Sequence, residues 1–216
     1  MGFDLDMTLV DSRPGIAATL SELAAETGAP VATDEMLDAL LRRNLDLEFG
    51  ERFEPDLAVR WADRFRELYV THGVPGTSLL PGAGESIAAV RELGGWCIVV
   101  TAKYEPNALR CLAQVGLEVD AVFGWRYADA KGDTLRDEGA LVYVGDTPND
   151  VRAATRAGAH IVAVTTGPHR EDELRAAGAA TVLDSLVHFP GWLLEQAVGS
   201  PDADGDDPAT TAPRSP

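Results

Sequence analysis

From about residue 82 onward the chain alternates short apolar runs with longer segments in which apolar residues recur every three or four positions. WCIVVT (96–101), VDAVFG (119–124), LVYVG (141–145) and HIVAVT (160–165) are short and apolar, with many β-branched residues, the pattern of strands buried on both faces. EPNALRCLAQVG (105–116) and TPNDVRAATRAG (147–158) read as helices, with Pro106 and Pro148 suited to a first turn and Gly116 and Gly158 to a C-terminal cap. A further helix is expected near 170–177 and a terminal one near 184–197. This alternation predicts an α/β fold, a doubly wound parallel sheet with helices on both faces.

Residues 14–78 carry a different pattern. PGIAATLSELAAETG, TDEMLDALLRRNL and PDLAVRWADRFRELYVTHG each show helical spacing of apolar residues and no strand signal. They predict an all-helical insertion between the first and second strands, with GVPGTSLLPGAG (73–84) as the return hinge. The expected organisation is an α/β core over 1–13 and 79–198 with a helical cap over 14–78. Residues 199–216 have no apolar periodicity and are expected to be disordered, since nothing there offsets the entropy of ordering.

Composition narrows the partners. The chain has 216 residues, enough for one sizeable domain or a core plus a smaller insertion, and a net charge of −17. That charge disfavours nucleic acid and anionic membranes. Phosphorylated small molecules stay open, because a local metal ion and lysine can reverse the sign inside one pocket. No apolar stretch approaches the ~20 residues of a membrane span, and MGFDLD lacks the basic and apolar regions of a signal peptide. A cytoplasmic location is therefore expected. Cys97 and Cys111 fall in a predicted strand and a predicted helix, and are expected to be buried free thiols. His72, His160, His169 and His188 are too dispersed to suggest a metal site. Only two lysines occur, Lys103 and Lys131.

Ligands of open parallel sheets bind beyond the carboxyl ends of the strands. Asp4 and Asp6 follow the first strand, Thr101 and Lys103 the second, and Asp146 and Asp150 the fourth, with Lys131 between the third and fourth. Carboxylates gathered this way repel one another unless a cation sits among them, and hard oxygen ligands suit Mg²⁺. A lysine and a hydroxyl nearby would neutralise a phosphoryl group, whose transfer needs little beyond positioning, charge stabilisation and an in-line nucleophile. An aspartate can be that nucleophile, and a second carboxylate two residues on can move protons.

FDLDMTLVDS (3–12), VVTAK (99–103), Lys131 and VGDTPND (144–150) resemble, in order, the four motifs of the haloacid dehalogenase-like (HAD) hydrolases, nearest their phosphoglycolate phosphatase-like branch. The resemblance implies that Asp4 is the nucleophile and Asp6 the general acid/base. It implies a phosphate-binding set of Thr8, which supports the loop, Thr101 and Lys131, with Lys103 as the alternative lysine. It implies Mg²⁺ held by Asp4, the backbone carbonyl of Asp6, Asp146 and, directly or through water, Asp150. Asp6 favours phosphoryl transfer over dehalogenation, because a halide leaving group needs no proton. The absence of lysine from 14–78 removes a Schiff-base phosphonate hydrolase. A Mg²⁺-dependent phosphatase for a small phosphorylated metabolite is the expectation, with a sugar-phosphate mutase or a catalytically weak binding protein as alternatives.

Secondary expectations concern the edges of these motifs. Arg42 and Arg43 fit a solvated helix face better than a substrate contact, and Asp11 orders the hinge rather than reacts. Met7 stands where relatives carry glycine; an ordinary backbone is expected there, with the side chain narrowing the pocket mouth. Only three residues precede Asp4, so upstream strand residues are expected, which a mass spectrum of the native N-terminus would test.

Overall fold

A computed structural model describes residues 1–199; the expected disorder of the tail falls outside them. The chain opens with β1 (Gly2–Phe3) and β2 (Val10–Asp11), then runs through four helices, α1 (Arg13–Thr27), α2 (Asp34–Arg42), α3 (Leu45–Arg52) and α4 (Pro55–Leu68). A widened turn over Tyr69–Gly73 and a short 3₁₀ turn lead to β3 (Ser78–Leu79) and α5 (Ala83–Glu92). Strand and helix then alternate: β4 (Ile98–Val100), α6 (Glu105–Val115), β5 (Ala121–Phe123), α7 (Asp129–Asp137), β6 (Val142–Gly145), α8 (Pro148–Ala157) and β7 (His160–Val164). The last elements are α9 (Glu171–Ala176), β8 (Thr181–Leu183) and α10 (Phe189–Gly199).

Six strands form one sheet in the order β5-β4-β1-β6-β7-β8, and all its pairings are parallel. The period of two along each strand shows why both faces are covered. Val99, Val144 and Val162 join the larger apolar cluster, while their neighbours Ile98, Val100, Tyr143, Ile161 and Ala163 join a second cluster on the opposite face. β8 was not expected; three half-buried residues at a sheet edge leave too short a pattern to stand out. Cys97 and Cys111 are buried free thiols, as expected.

β1 is short but central. Gly2 and Phe3 pair with Ile98 and Val99 on one side and with Tyr143 and Val144 on the other. The Asp4 N–H donates to Val144 O (2.8 Å), which sets Asp4 at the carboxyl edge of the sheet.

The helices of the insertion leave and re-enter through a two-stranded antiparallel ladder, Val10 with Leu79 and Asp11 with Ser78. Asp11 Oδ1 accepts the Arg13 N–H (3.0 Å) and so starts α1, the ordering role expected of it. The helix expected over 33–45 stops at Arg42, and a further helix, α3, that was not expected begins at Leu45. The Asn44 side chain accepts the N–H groups of Asp46 and Leu47, which ends α2 and caps α3. Among the described residues no helix is long and apolar enough to cross a membrane.

Candidate active site

The chain turns sharply after β1. Leu5 O accepts the N–H groups of Leu9 and Val10, both at 3.0 Å, folding residues 5–10 into one tight loop. Met7 takes the left-handed conformation at φ 59°, contrary to the ordinary backbone expected for it. Two hydrogen bonds impose this: the Met7 N–H donates to Val10 O (2.8 Å), and its carbonyl accepts from Thr166 Oγ1 (2.6 Å). The conformation costs a side-chain-bearing residue about 1–2 kcal/mol. The Met7 side chain is buried in the core and lines neither cavity of the site, so it does not narrow the mouth.

Three carboxylates converge at the carboxyl edge of the sheet. Asp4, Asp146 and Asp150 each offer an oxygen within 4.8 Å of the others, and all three are buried. Lys131 Nζ, on the first turn of α7, lies 3.1 Å from Asp4 Oδ1 and 2.5 Å from Asp150 Oδ1. Asp150 is saturated with donors. Its Oδ1 also accepts from Tyr143 Oη (3.2 Å), while Oδ2 accepts from Thr147 N (3.0 Å) and Thr147 Oγ1 (2.7 Å). These bonds cap α8 and fix the carboxylate facing Lys131.

Asp146 and Asp4 differ in this respect. Asp146 Oδ1 accepts from Thr8 Oγ1 (2.9 Å), but Asp146 Oδ2 and Asp4 Oδ1 are buried without a hydrogen-bond partner among the described residues. Thr8 is fully buried with its hydroxyl spent on Asp146, so it props that carboxylate rather than facing the cavity as a phosphate ligand. Asp6 lies apart from the trio; its Oδ1 pairs with Lys103 Nζ at 2.8 Å. The two lysines therefore divide the site, Lys131 beside Asp4 and Lys103 beside Asp6. Thr101 Oγ1 accepts the Lys103 N–H (3.2 Å), leaving its own hydrogen for another acceptor.

Burial pushes the Asp4 carboxyl up to about 7, against the opposing pull of Lys131 and with further upward pressure from Asp150 and Asp6. Burial, with Asp150 and Asp4 adding to it, holds Asp146 well above the usual carboxylate range. Asp146 Oδ2 has no donor and Asp4 Oδ1 has only the Lys131 ammonium at 3.1 Å, on carboxylates whose ionisation burial opposes, so a hard divalent cation fits as their missing partner. Asp4 and Asp146 supply that donor set; the fully bonded Asp150 and the Lys103-paired Asp6 side chain do not. The loop after β7 leaves room for it, since a Cβ on Gly167 would stand 1.8 Å from Asp146 Oδ2. Gly167→Ala is expected to weaken divalent-cation affinity about tenfold or more, read by calorimetric titration. Unchanged affinity would remove Asp146 from the ligand set.

A cavity of about 60 Å³ opens over this cluster, lined by Asp4, Asp6, Thr101, Lys131 and the end of α2. Arg42 and Arg43 both line it, nearer the chemistry than a solvated face implies, yet each is engaged. Arg42 donates to Pro168 O (2.9 Å), tying α2 to the loop after β7, and Arg43 grips Glu51 with two bonds of 2.7–2.8 Å. Sequence reading missed Tyr143, Thr147 and Gly167. Only Thr147 carried a local signal, as the T-x-x-D of a capping box.

The haloacid dehalogenase-like hydrolase family matches residues 2–158, and the chain belongs to that family. It lies in the phosphoglycolate phosphatase-like branch and is a hydrolase of the phosphatase class. It is 28% identical to a phosphoglycolate phosphatase of Rhodospirillum rubrum, over 94% of this chain and 92% of that one. It is 25% identical to that of Vibrio parahaemolyticus, over 86% and 92%. A predicted phosphatase from Clostridium acetobutylicum shares the fold with a TM-score of 0.78, at 22% identity over 90% of this chain and 97% of that one.

Proposed function

We propose that the chain is a Mg²⁺-dependent phosphatase of small phosphorylated metabolites, working through a phosphorylated Asp4. The observation that carries this reading is the buried, unpartnered Asp146 Oδ2 close to Asp4 Oδ1, whose one cationic neighbour among the described residues is Lys131 Nζ at 3.1 Å. Asp4 attacks phosphorus while the bond to the leaving oxygen breaks, and Asp6 gives that oxygen its proton. Water, deprotonated by Asp6, then attacks phosphorus and releases Asp4 and inorganic phosphate. Lys131 and Thr101 hold the phosphoryl oxygens, and Asp150, with Tyr143 and Thr147 behind it, aims Lys131. Asp4, Asp146 and the Asp6 carbonyl would hold Mg²⁺, which supplies charge neutralisation for the transferring group. Residues 14–78 act as a cap that swings about the β2–β3 ladder and excludes water from the site.

Turnover of para-nitrophenyl phosphate with and without Mg²⁺, against Asp4→Asn, tests the reading. Absence of Asp4-dependent turnover with any divalent cation sinks it. Asp6→Asn discriminates further. A nitrophenolate leaves with little need of a proton, whereas an alkyl alcohol needs one. The loss with an alkyl phosphate is expected to reach about 10²–10⁴-fold and to exceed the loss with the nitrophenyl ester. Equal losses would deny Asp6 the acid role.

A further inference from the structure

A second cavity, of about 90 Å³, adjoins the polar one; Asp6, Leu40 and Ala102 line both. Its wall is largely apolar and aromatic, with Leu40, Leu45, Phe65, Tyr69, Tyr104 and Trp125. The position of Asp6 between the two compartments fixes their use. If the phosphoryl group sits beside Asp4 and Lys131 and its leaving oxygen meets Asp6, the organic half of the ester extends into this second cavity.

Its geometry is that of a shelf for a flat group. The Tyr104 and Trp125 rings lie 5.1 Å apart, tilted by 46°, and the Arg66 guanidinium stands 5.4 Å from the Trp125 ring centre and 6.0 Å from that of Tyr104. Trp125 is 54% exposed and left-handed at φ 52°, a conformation costly for a tryptophan. Its backbone N–H donates to Lys103 O (2.9 Å), which holds the Trp125 backbone beside that of the Asp6 partner. The cavity is smaller than the ~150 Å³ that encloses a benzene ring in a closed core. Trp125 on its wall is itself half exposed, so a ring bound against it would keep its outer edge in solvent. The Tyr69 hydroxyl on the wall is buried without a hydrogen-bond partner among the described residues, one polar atom for a ring substituent to meet.

A small anionic leaving group such as glycolate finds no such provision. Both cations lining the second cavity, Lys103 and Arg66, are already ion-paired, and of the three lining the polar one only Arg42 lacks a carboxylate partner among the described residues. Lys131 meets Asp150 and Asp4, Lys103 meets Asp6, and Arg66 meets Asp46 and Asp63. Arg43 meets Glu48 and Glu51, and Arg42 is held by the Pro168 carbonyl.

We infer that the preferred substrate is a phosphate monoester whose alcohol half carries a planar, uncharged ring, held on the Tyr104–Trp125–Arg66 shelf. This deepens the phosphatase reading and rests on it for the position of the phosphoryl group. Benzyl phosphate, ethyl phosphate and phosphoglycolate test it, since all three release an alkyl alcohol and differ chiefly in what the cavity must hold. Burial of the ring is expected to give benzyl phosphate a kcat/KM roughly 10- to 100-fold above each of the others. Trp125→Ala should collapse the benzyl-to-ethyl ratio about tenfold, mainly through KM. Trp125→Gly, whose backbone accepts φ > 0 freely, should do the same and exclude misfolding as the cause. Preference for phosphoglycolate, or an unchanged benzyl-to-ethyl ratio in both variants, would overturn the inference. Calorimetric binding of benzylphosphonate and phosphonoacetate to Asp4→Asn separates the two readings. Tighter benzylphosphonate binding that depends on Trp125 upholds the shelf even if no ester is hydrolysed, and then only the phosphatase reading fails. Tighter phosphonoacetate binding overturns the shelf and leaves that reading intact.

Discussion

Asp4→Asn is expected to lower turnover by roughly 10⁴- to 10⁶-fold, the range typical for loss of a catalytic nucleophile or its immediate partner, while making the metal-free protein more stable. The second half of this expectation follows from where the carboxylate sits. Burial raises Asp4 from 3.8 to about 7. Between those values the folded protein binds a proton that the unfolded chain has lost. Stability contributed by Asp4 is therefore greatest below its unfolded value and falls as pH rises through the folded one. At pH 8 the ion sits in a buried site that disfavours it, and Lys131, with a smaller contribution from the Leu5 backbone N–H, offsets part of the cost. Asparagine has the same shape and no charge, so it escapes that penalty and reduces repulsion with Asp146 and Asp150.

In EDTA at pH 8 the variant should melt higher by roughly 3–6 °C, on the scale of about 1–2 kcal/mol in a protein of this size. The wild-type melting temperature should fall from pH 5 to pH 8, and the variant should show a shallower fall, because the share that Asp4 contributes is gone. Saturating Mg²⁺ should reverse the order. A ligand at 100-fold its dissociation constant stabilises by about 2.7 kcal/mol, and the variant lacks one of the anionic ligands. Differential scanning calorimetry across pH, with and without Mg²⁺, reads all of this. A variant less stable than wild type in EDTA at pH 8 would mean that Asp4 is already compensated within the protein, and the case for a missing cation would fall with it.

The stability cost and the chemistry share one cause, and only part of that cause was legible in the sequence. The apolar runs that become β4, β6 and β7 could be read because strands buried on both faces need unbroken apolar residues. The strand-end positions of Thr101 and Asp146 followed directly from them. The fates of individual oxygens could not be read. Asp150 sits in the same motif as Asp146, yet its four donors come from Lys131, Tyr143 and Thr147, and Asp146 Oδ2 is left with none. Met7 shows the same limit. Its left-handed backbone is set by Thr166, 159 residues away, and that contact exists only once β7 has been laid into the sheet. Lys103 was legible as a position after β4, but its ion pair with Asp6 depends on how the loops after β1 and β4 meet. Asn44 is the local counterpart: a single side chain that accepts two backbone N–H groups starts α3, a helix the apolar spacing through 45 did not predict.

Lys131→Met separates structural from catalytic charge in the same cluster. Lys131 is only 4% exposed, and burial alone would lower its pKa, but Asp150 and Asp4 more than reverse that and hold it above the ordinary lysine value. The sign of its linkage is simple. A cation raised in the folded state contributes stability that is complete below its unfolded value, near 10.5, and is lost only as pH climbs through the folded one. Between pH 5 and 9 the lysine keeps its charge, so any pH dependence in the variant must come from the carboxylates it abandons. Methionine fills a similar volume without charge and strands Asp4 as a buried anion, while Asp150 keeps its Tyr143 and Thr147 donors, a change that costs about 3–5 kcal/mol. As pH falls toward 5.5, a proton on Asp4 takes the place of the ammonium and the loss should shrink to less than half. Urea denaturation in EDTA at pH 8 and at pH 5.5 measures the difference. Turnover at pH 8 in saturating Mg²⁺ should fall about 10³-fold even where the variant is fully folded, because the phosphoryl oxygens lose their cation as well. An equal stability loss at both pH values would show that Lys131 contributes through packing alone and leave its charge without a role in holding the carboxylates together.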